Sequence, residues 1–154
     1  MGYEVFNGCE NLQNVYISKN CEALSSEVFG NCISLTNIYV PKKVSAISRD
    51  AFQGCNKLES IIVDNDNRYY KSVDGILYDF NMTEILYVPK MTSGTIFIPD
   101  GVKKIQSRAF EDCRKIKEVV IPDSVTEIGT AAFYDCISMQ KVVFGEGIQL
   151  IGYR

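Results

Sequence analysis

Apolar residues along the chain are arranged in a short block that recurs five times. Each copy has a cysteine three residues after a phenylalanine, and an aliphatic residue or methionine three residues after that cysteine. The copy at Ala51–Val63 has the sequence "AFQGCNKLESIIV". The phenylalanines are spaced by 23 residues on either side of one gap: Phe6, Phe29 and Phe52, then Phe110 and Phe133. Repetition at this period is typical of solenoids, in which each coil stacks on the next. The gap of 58 residues equals two periods plus 12, so one insertion interrupts the array.

After each block, a run of alternating apolar residues leads towards a corner that in three copies contains proline, as in "KEVVIP". Alternation with a period of two predicts a short strand, with Val119 and Ile121 facing inward and Val120 outward. One such strand per coil predicts a parallel sheet along one side of the molecule. A second apolar pair, such as Val125 and Ile128, follows the proline.

A different pattern surrounds each phenylalanine. In most copies a serine or threonine lies shortly before the phenylalanine. Two residues after the phenylalanine lies a glycine, asparagine or aspartate, the residue types that tolerate a left-handed backbone. The first set comprises Ser26, Ser48, Ser107 and Thr130, and the second comprises Gly8, Asn31, Gly54, Asp112 and Asp135. An N-cap and a C-terminal stop around so few residues predict one helical or 3₁₀ turn per coil, opposite the sheet.

Residues 64–95 are the predicted interruption. "GILYDF" and "TEILYVP" are two β-prone runs, which predict a hairpin with its turn near Phe80–Met82, and the Asp74-Gly75 pair predicts another turn. Because "LYVPK" repeats "IYVPK", we align Tyr87 with Tyr39. Leu86 and Ile96 are then only ten residues apart, which is too few for a full coil, so a compact meander or loop is expected there.

Length and composition narrow the class of protein. The chain has 154 residues, 46% of them hydrophobic, and a net charge of −3, which fits one continuous domain over residues 1–154. It lacks the clustered lysines and arginines that nucleic-acid binding requires, and no apolar run approaches the length of a membrane span. Both ends lie within repeats, so we expect a piece of a longer array whose secretion signal and anchor lie elsewhere, and end-to-end self-association is an open alternative.

Five of the six cysteines occupy one repeat position and should form a column: Cys9, Cys32, Cys55, Cys113 and Cys136. Cys21 aligns instead with Val44 and Val102, as a small core residue. Neighbouring coils are close enough for a disulfide, but no pairing pattern is present, and zinc binding would need close cysteine pairs or histidine, which the chain lacks. The pattern therefore favours buried packing residues, with no metal or cofactor.

The blocks "IPDSVTEIGTAAFYDCISMQKVVF" and "IPDGVKKIQSRAFEDCRKIKEVVI" resemble the BspA-like leucine-rich repeats, the Treponema-type class. The segment "NRYYKSVDGILY" is similar to the "N-x-x-Y-x-S-x-D-G-x-L-Y" motif that punctuates arrays in that family. The resemblance implies a leucine-rich-repeat solenoid that is secreted or displayed on the cell surface. It also implies adhesion or protein binding, with no catalytic residues to transfer.

Outward-facing strand positions form the candidate binding column. Its members are Tyr16, Tyr39, Ile62, Tyr87, Phe97, Val120 and Val143. An aromatic-rich surface with a polar rim fits a protein or glycan partner, although β-branched and aromatic residues are also favoured in strands for packing reasons alone. The hairpin and the opposite loops are alternative binding surfaces. The segment "DNDNRYY" has two alternating aspartates, but a turn with local hydrogen bonds accounts for it better than a calcium loop, because the glycine and distal glutamate are missing.

The predicted function is non-enzymatic recognition at the cell surface or outside the cell, for example of a host matrix protein or a glycan. Catalysis is disfavoured because the chain has no histidine and its cysteines are predicted to be buried. Two alternatives stay open at this point: a spacer without a ligand that holds another domain away from the cell, and an intracellular scaffold.

Overall fold

In the computed structural model, which describes residues 2–153, strands account for all of the regular secondary structure. The strands, in chain order, are β1 Ala23–Leu24, β2 Asn37–Val40, β3 Ala46–Ile47, β4 Ser60–Val63, β5 Tyr70–Val73, β6 Ile76–Asp79, β7 Glu84–Tyr87, β8 Ser93–Phe97, β9 Lys104–Ile105, β10 Lys115–Val120, β11 Glu127–Ile128, β12 Lys141–Val143 and β13 Leu150–Ile151.

The predicted parallel sheet is present on one side of the coils, which we call the strand face. It consists of two parts, β2 with β4 and β8 with β10 and β12, all parallel. Each proline corner then turns the chain, because the carbonyl of the proline accepts a hydrogen bond from the third residue after it, as from Val125 N to Pro122 O at 3.1 Å. A two-residue strand follows the corners at Pro41, Pro99 and Pro122. These short strands pair in parallel with those of neighbouring coils, β1 with β3 and β9 with β11 and β13, to form a second sheet layer in two parts.

The prediction of one helical or 3₁₀ turn per coil is wrong, since residues 2–153 contain no helix. Successive amide hydrogens in these turns point in alternate directions. Gly30 N bonds within its own coil to Glu27 O at 2.9 Å, whereas Phe29 N donates across to Ala51 O of the next coil at 3.0 Å. A helix requires consecutive amides to form hydrogen bonds within one segment. Here every second amide donates to the neighbouring coil, so no helix forms.

The left-handed positions were predicted correctly. All five residues placed two after a phenylalanine have φ between 54° and 76°. The serines predicted to cap helices instead bind side chains, since Ser26 and Ser48 both donate to the Asp50 carboxylate, at 2.8 and 2.6 Å.

Equivalent core residues stack in columns, as predicted. The rings of Phe6 and Phe29 lie 5.7 Å apart and those of Phe29 and Phe52 6.3 Å apart, nearly parallel in both cases. Beside them, each buried cysteine thiol donates to a backbone carbonyl of the preceding coil, as from Cys55 Sγ to Phe29 O at 3.1 Å.

The cysteine column is internal in four of its five members. Cys32, Cys55, Cys113 and Cys136 are buried, while Cys9, in the first coil, is exposed. None of the six cysteines is in a disulfide, and Cys21 is half-buried against the core. The thiols therefore serve as packing groups that also supply a weak hydrogen bond between coils.

The interruption contains three antiparallel strands, β5, β6 and β7. The predicted hairpin is confirmed as β6 and β7, and β5 was not predicted. Asp74 and Gly75, with φ of 51° and 78°, form the two-residue turn between β5 and β6. The alignment of Tyr87 with Tyr39 is wrong, because β7 pairs with β9 in the second sheet and Val88 N donates to Ala109 O, the bond that a phenylalanine makes in regular coils.

Strand β6 separates two hydrophobic cores. Leu77 packs into the core formed with the N-terminal coils, and Ile76 and Tyr78 pack into the core formed with the C-terminal coils. Alternation along a strand sends successive side chains to opposite faces, so one strand can complete both cores. Strand β7 does the same, with Tyr87 in the first core and Ile85 in the second, so these two strands join the halves of the molecule.

Residues of the punctuating motif join the insertion to the coil that precedes it. Asn67 is 2% exposed, and its amide donates to the carbonyls of Pro41 and Val44, both at 3.0 Å, while its oxygen accepts from two backbone amides. The Tyr70 hydroxyl accepts from Ile47 N at 3.0 Å, and Ser72 Oγ accepts from Val63 N at 2.9 Å. Side chains thus replace the main-chain bonds that a regular coil would provide.

We predict that Asn67→Asp lowers the free energy of unfolding by about 3 kcal/mol or more, because the variant loses two donated hydrogen bonds and places a carboxylate against two carbonyl oxygens. Urea denaturation measures the change. Asn65→Asp makes the same charge change at an exposed position of this turn and should leave the midpoint nearly unchanged. Equal midpoints for the two variants would contradict the role of Asn67.

We also predict that stability falls as pH rises from about 9 towards 12. Burial raises the pKa of Cys55 and Cys113 from 9.0 to about 12, and that of Tyr78 from 10.0 to about 12. The unfolded chain then releases these protons at lower pH than the folded chain does, so deprotonation favours unfolding. Urea midpoints at pH 8 and pH 11 test this expectation.

Iodoacetamide at pH 8 should label Cys9 in the native protein but not Cys55, because Cys9 is exposed and Cys55 is buried.

Candidate binding surface

Six of the seven residues in the predicted column lie on the strand face. Their exposed fractions are 95% for Tyr16, 48% for Tyr39, 47% for Ile62, 72% for Phe97 and 36% for Val143, and Val120 is half-buried. Tyr16 belongs to no strand, but its neighbours Val15 and Ile17 pack against the core and leave it outward. The register confirms the alignment of Tyr39 with Ile62, and of Phe97 with Val120 and Val143.

Tyr87 does not belong to this surface. It is 7% exposed, its ring packs edge-on against Phe52 with centroids 5.5 Å apart, and its hydroxyl donates to Phe52 O at 3.1 Å. The sequence similarity of "LYVPK" to "IYVPK" was misleading because the insertion shifts the chain by half a coil. The prediction that Tyr87 faces outward is therefore wrong.

The remaining column is divided into two patches. Strand β4 does not pair with β8. Instead, Ile61 N in β4 donates to Gly75 O at the tip of the inserted β5–β6 hairpin, at 3.0 Å. A Cβ atom on Gly75 would lie 3.1 Å from the Ser60 Cα atom, and φ at this position is 78°, so the approach favours glycine. We call Tyr16, Tyr39 and Ile62 the aromatic patch, and Phe97, Val120 and Val143 the C-terminal patch.

The two patches differ in the charge around them. Asn37 and Ser60 flank the aromatic patch and are uncharged, whereas Glu118 and Lys141 flank the C-terminal patch and form an ion pair at 2.7 Å. The aromatic patch is therefore flanked by fewer charged side chains, and the carboxylate that adjoins it, Asp64, is bonded to the Tyr39 hydroxyl. A ring-rich surface of this kind can bury apolar area against a partner.

The side chain of Asp64 orients Tyr39. The Tyr39 hydroxyl donates to Asp64 Oδ2 at 2.8 Å, and this hydrogen bond raises the pKa of Tyr39. Asp64 Oδ1 accepts from Asp66 N at 2.9 Å, so the local hydrogen bonds predicted for this turn are confirmed. Nothing in the sequence pairs Tyr39 with Asp64, because an aspartate just after a strand gives no signal for which ring it contacts.

The cysteines offer no comparable site. Burial raises the pKa of Cys136 to about 11 and that of Cys55 to about 12, which keeps these thiols protonated near neutral pH. Within residues 2–153, no three potential metal ligands of the cysteine, aspartate or glutamate type converge. The same part of the chain has no apolar helix of the length that crossing a bilayer requires.

Two parallel strands per regular coil, stacked phenylalanine and cysteine columns and a coil length of 23 residues define a leucine-rich-repeat solenoid. The model of the BspA type leucine rich repeat region matches residues 1–93 and 87–154, in six copies. The chain belongs to this family.

Solved structures of bacterial proteins share the fold. A leucine rich cell surface protein from Faecalibacterium prausnitzii A2-165 is 31% identical over 91% of this chain and 37% of its own, with a TM-score of 0.79. The pneumococcal vaccine antigen PcpA is 24% identical over 75% of this chain and 29% of its own, with a TM-score of 0.71. A leucine-rich repeat protein from Eubacterium ventriosum ATCC 27560 is 24% identical over 72% and 36%, with a TM-score of 0.58.

The second and third of these likenesses support the fold alone. This chain spans between 29% and 37% of the length of the three solved chains. No curated protein matches the sequence significantly.

Proposed function

We propose that the chain is a non-enzymatic recognition module of a bacterial cell-surface or secreted protein, which binds a protein or glycan partner through its strand face. Membership of the BspA-type family and the likeness to a protein named for the cell surface support the location. In this proposal the two halves act as one domain, because strand β6 contributes side chains to both cores.

The observation that carries the proposal is the aromatic patch. Tyr16 is 95% exposed and Tyr39 48% exposed, and both lie outside the two hydrophobic cores. Buried tyrosines commonly supply a large share of the binding energy at interfaces, because they combine a large apolar area with a hydrogen-bonding hydroxyl. Tyr39 is also held in place by Asp64, which reduces the entropy lost when a partner orders it.

The test is a binding screen of the chain against extracellular-matrix proteins and a glycan array, repeated with the double variant Tyr16→Ser, Tyr39→Ser. Loss of two aromatic contacts should weaken binding by roughly 30-fold or more. Tyr3→Ser removes a ring that is 67% exposed but lies in the turn before Phe6, so it should leave affinity unchanged.

Binding that the double variant does not weaken would refute the aromatic patch as the contact surface. If the chain binds no member of either panel, the recognition role is rejected in favour of a spacer without a ligand. Circular dichroism of both variants should match that of the unchanged chain, since the replaced side chains are exposed.

A further inference from the structure

A cleft opens where the insertion enters the array. In the regular coils, Phe29 N donates to Ala51 O at 3.0 Å and Asn31 N donates to Gln53 O at 2.7 Å. The corresponding amides one coil later, Phe52 N and Gly54 N, make no such bond to any residue in 2–153. The coils therefore separate at this point, on the side opposite the strand face.

The cleft consists of two adjoining cavities of about 430 and 440 Å³, which share Ser48, Arg49 and Tyr87 in their walls. Aliphatic and aromatic side chains dominate one cavity, which also has Asp79 and Gln106 in its wall; its apolar residues are Ile47, Phe52, Tyr70, Leu77 and Leu86. The other is charged, with Arg49, Lys90 and Arg108 beside Asp50 and Glu111. The volume and the mixed lining suit a small ligand or one residue of a longer one.

Lys90 is the unusual residue of this cleft. It is 7% exposed, its ammonium group donates to the backbone carbonyl of Glu111, and it lies 5.4 Å from the centroid of the Tyr87 ring. None of the ion pairs within residues 2–153 includes Lys90. A buried ammonium group without a carboxylate is costly, and a bound anion would compensate it.

The carboxylates around the cleft already have donors. Asp50 accepts from the Ser26 and Ser48 hydroxyls, and Glu111 pairs with Arg108 at 3.5 Å. Asp79 accepts from Thr83 Oγ1 at 3.0 Å and from two backbone amides of its own turn. Arg49 is exposed and, like Lys90, belongs to no ion pair within the described residues. Neither cation therefore forms an ion pair among residues 2–153, although the charge of Arg49 helps to lower the pKa of Asp50.

We propose that the cleft binds a carboxylate joined to a bulky apolar group, which is the chemistry of a peptide C-terminus that ends in a large aliphatic residue. The carboxylate would bind between Lys90 and Arg49, and the side chain would fill the cavity lined by Ile47, Leu77 and Leu86. This site is separate from the strand face and does not depend on the function proposed for it. An acidic sugar fits less well, because the cavity beside the charged one has Ile47, Leu77 and Leu86 in its wall.

The test is an NMR titration of the chain with N-acetyl-leucine, with N-acetyl-leucinamide as the neutral match. We expect the acid to shift the amide signals around Tyr87 and Lys90 and to bind about tenfold or more tightly than the amide. A peptide ending in leucine with a free carboxylate, and its amidated form, should show the same preference if the natural source is a chain end. If only the free amino acid derivative binds, the source is a small molecule.

Two variants assign the role of the charges. Lys90→Met should weaken binding of the acid by about tenfold or more, and because it removes a buried charge that forms no ion pair, its Tm should equal or exceed that of the unchanged chain. Arg49→Gln, at an exposed position, should fold normally and also weaken binding. Lys103→Met, at an exposed corner elsewhere, should change neither quantity.

Equal binding of the acid and the amide would overturn the proposal, as would no binding at all or affinity that survives both Lys90→Met and Arg49→Gln. N-acetylneuraminic acid that binds when N-acetyl-leucine does not would also overturn it. Should Lys90→Met fail to fold, Arg49→Gln alone decides, and that failure would itself contradict the predicted Tm.

Discussion

Contact between successive coils is the interaction on which the rest of the structure depends. Each coil provides two short strands, which pair with strands of neighbouring coils, and a turn in which alternate amides donate to the next coil. A residue and its equivalent 23 positions later must therefore lie over one another, at about the spacing of adjacent strands. The cysteine position illustrates the constraint: it needs a small buried side chain that can also donate to the carbonyl of the coil before it, and a thiol does both.

The insertion is tolerated because it provides a substitute for this contact. Strand β6 supplies alternate side chains to two cores, while Asn67, Tyr70 and Ser72 bond to backbone groups that a regular coil would have paired. The substitution is incomplete on the side opposite the strand face, where the amides of Phe52 and Gly54 are not bonded to the following coil. One local departure thus explains both the division of the strand face into two patches and the cleft around Lys90.

A stacked array of this kind presents side chains at regular spacing on a stiff surface. The strand face carries exposed rings, which suits a broad contact with a macromolecule. The cleft is smaller, charged at one side and apolar at the other, which suits a short chemical group. The two sites lie on different sides of the solenoid, so variants at one should leave the other unchanged.

The sequence by itself determined the repeat length, the family, the parallel sheet, the burial of most cysteines and the left-handed turn positions, because periodic burial and backbone conformation leave a mark at every copy. It also predicted the β6–β7 hairpin from local β-propensity. Only the tertiary structure decided that the turns are not helical, since alternate amides are diverted to the next coil, and that Tyr87 is buried, since the insertion displaces the chain by half a coil. The charge environment of Lys90 likewise follows from coils that are distant in sequence, and such contacts between unlike segments leave no periodic pattern to detect.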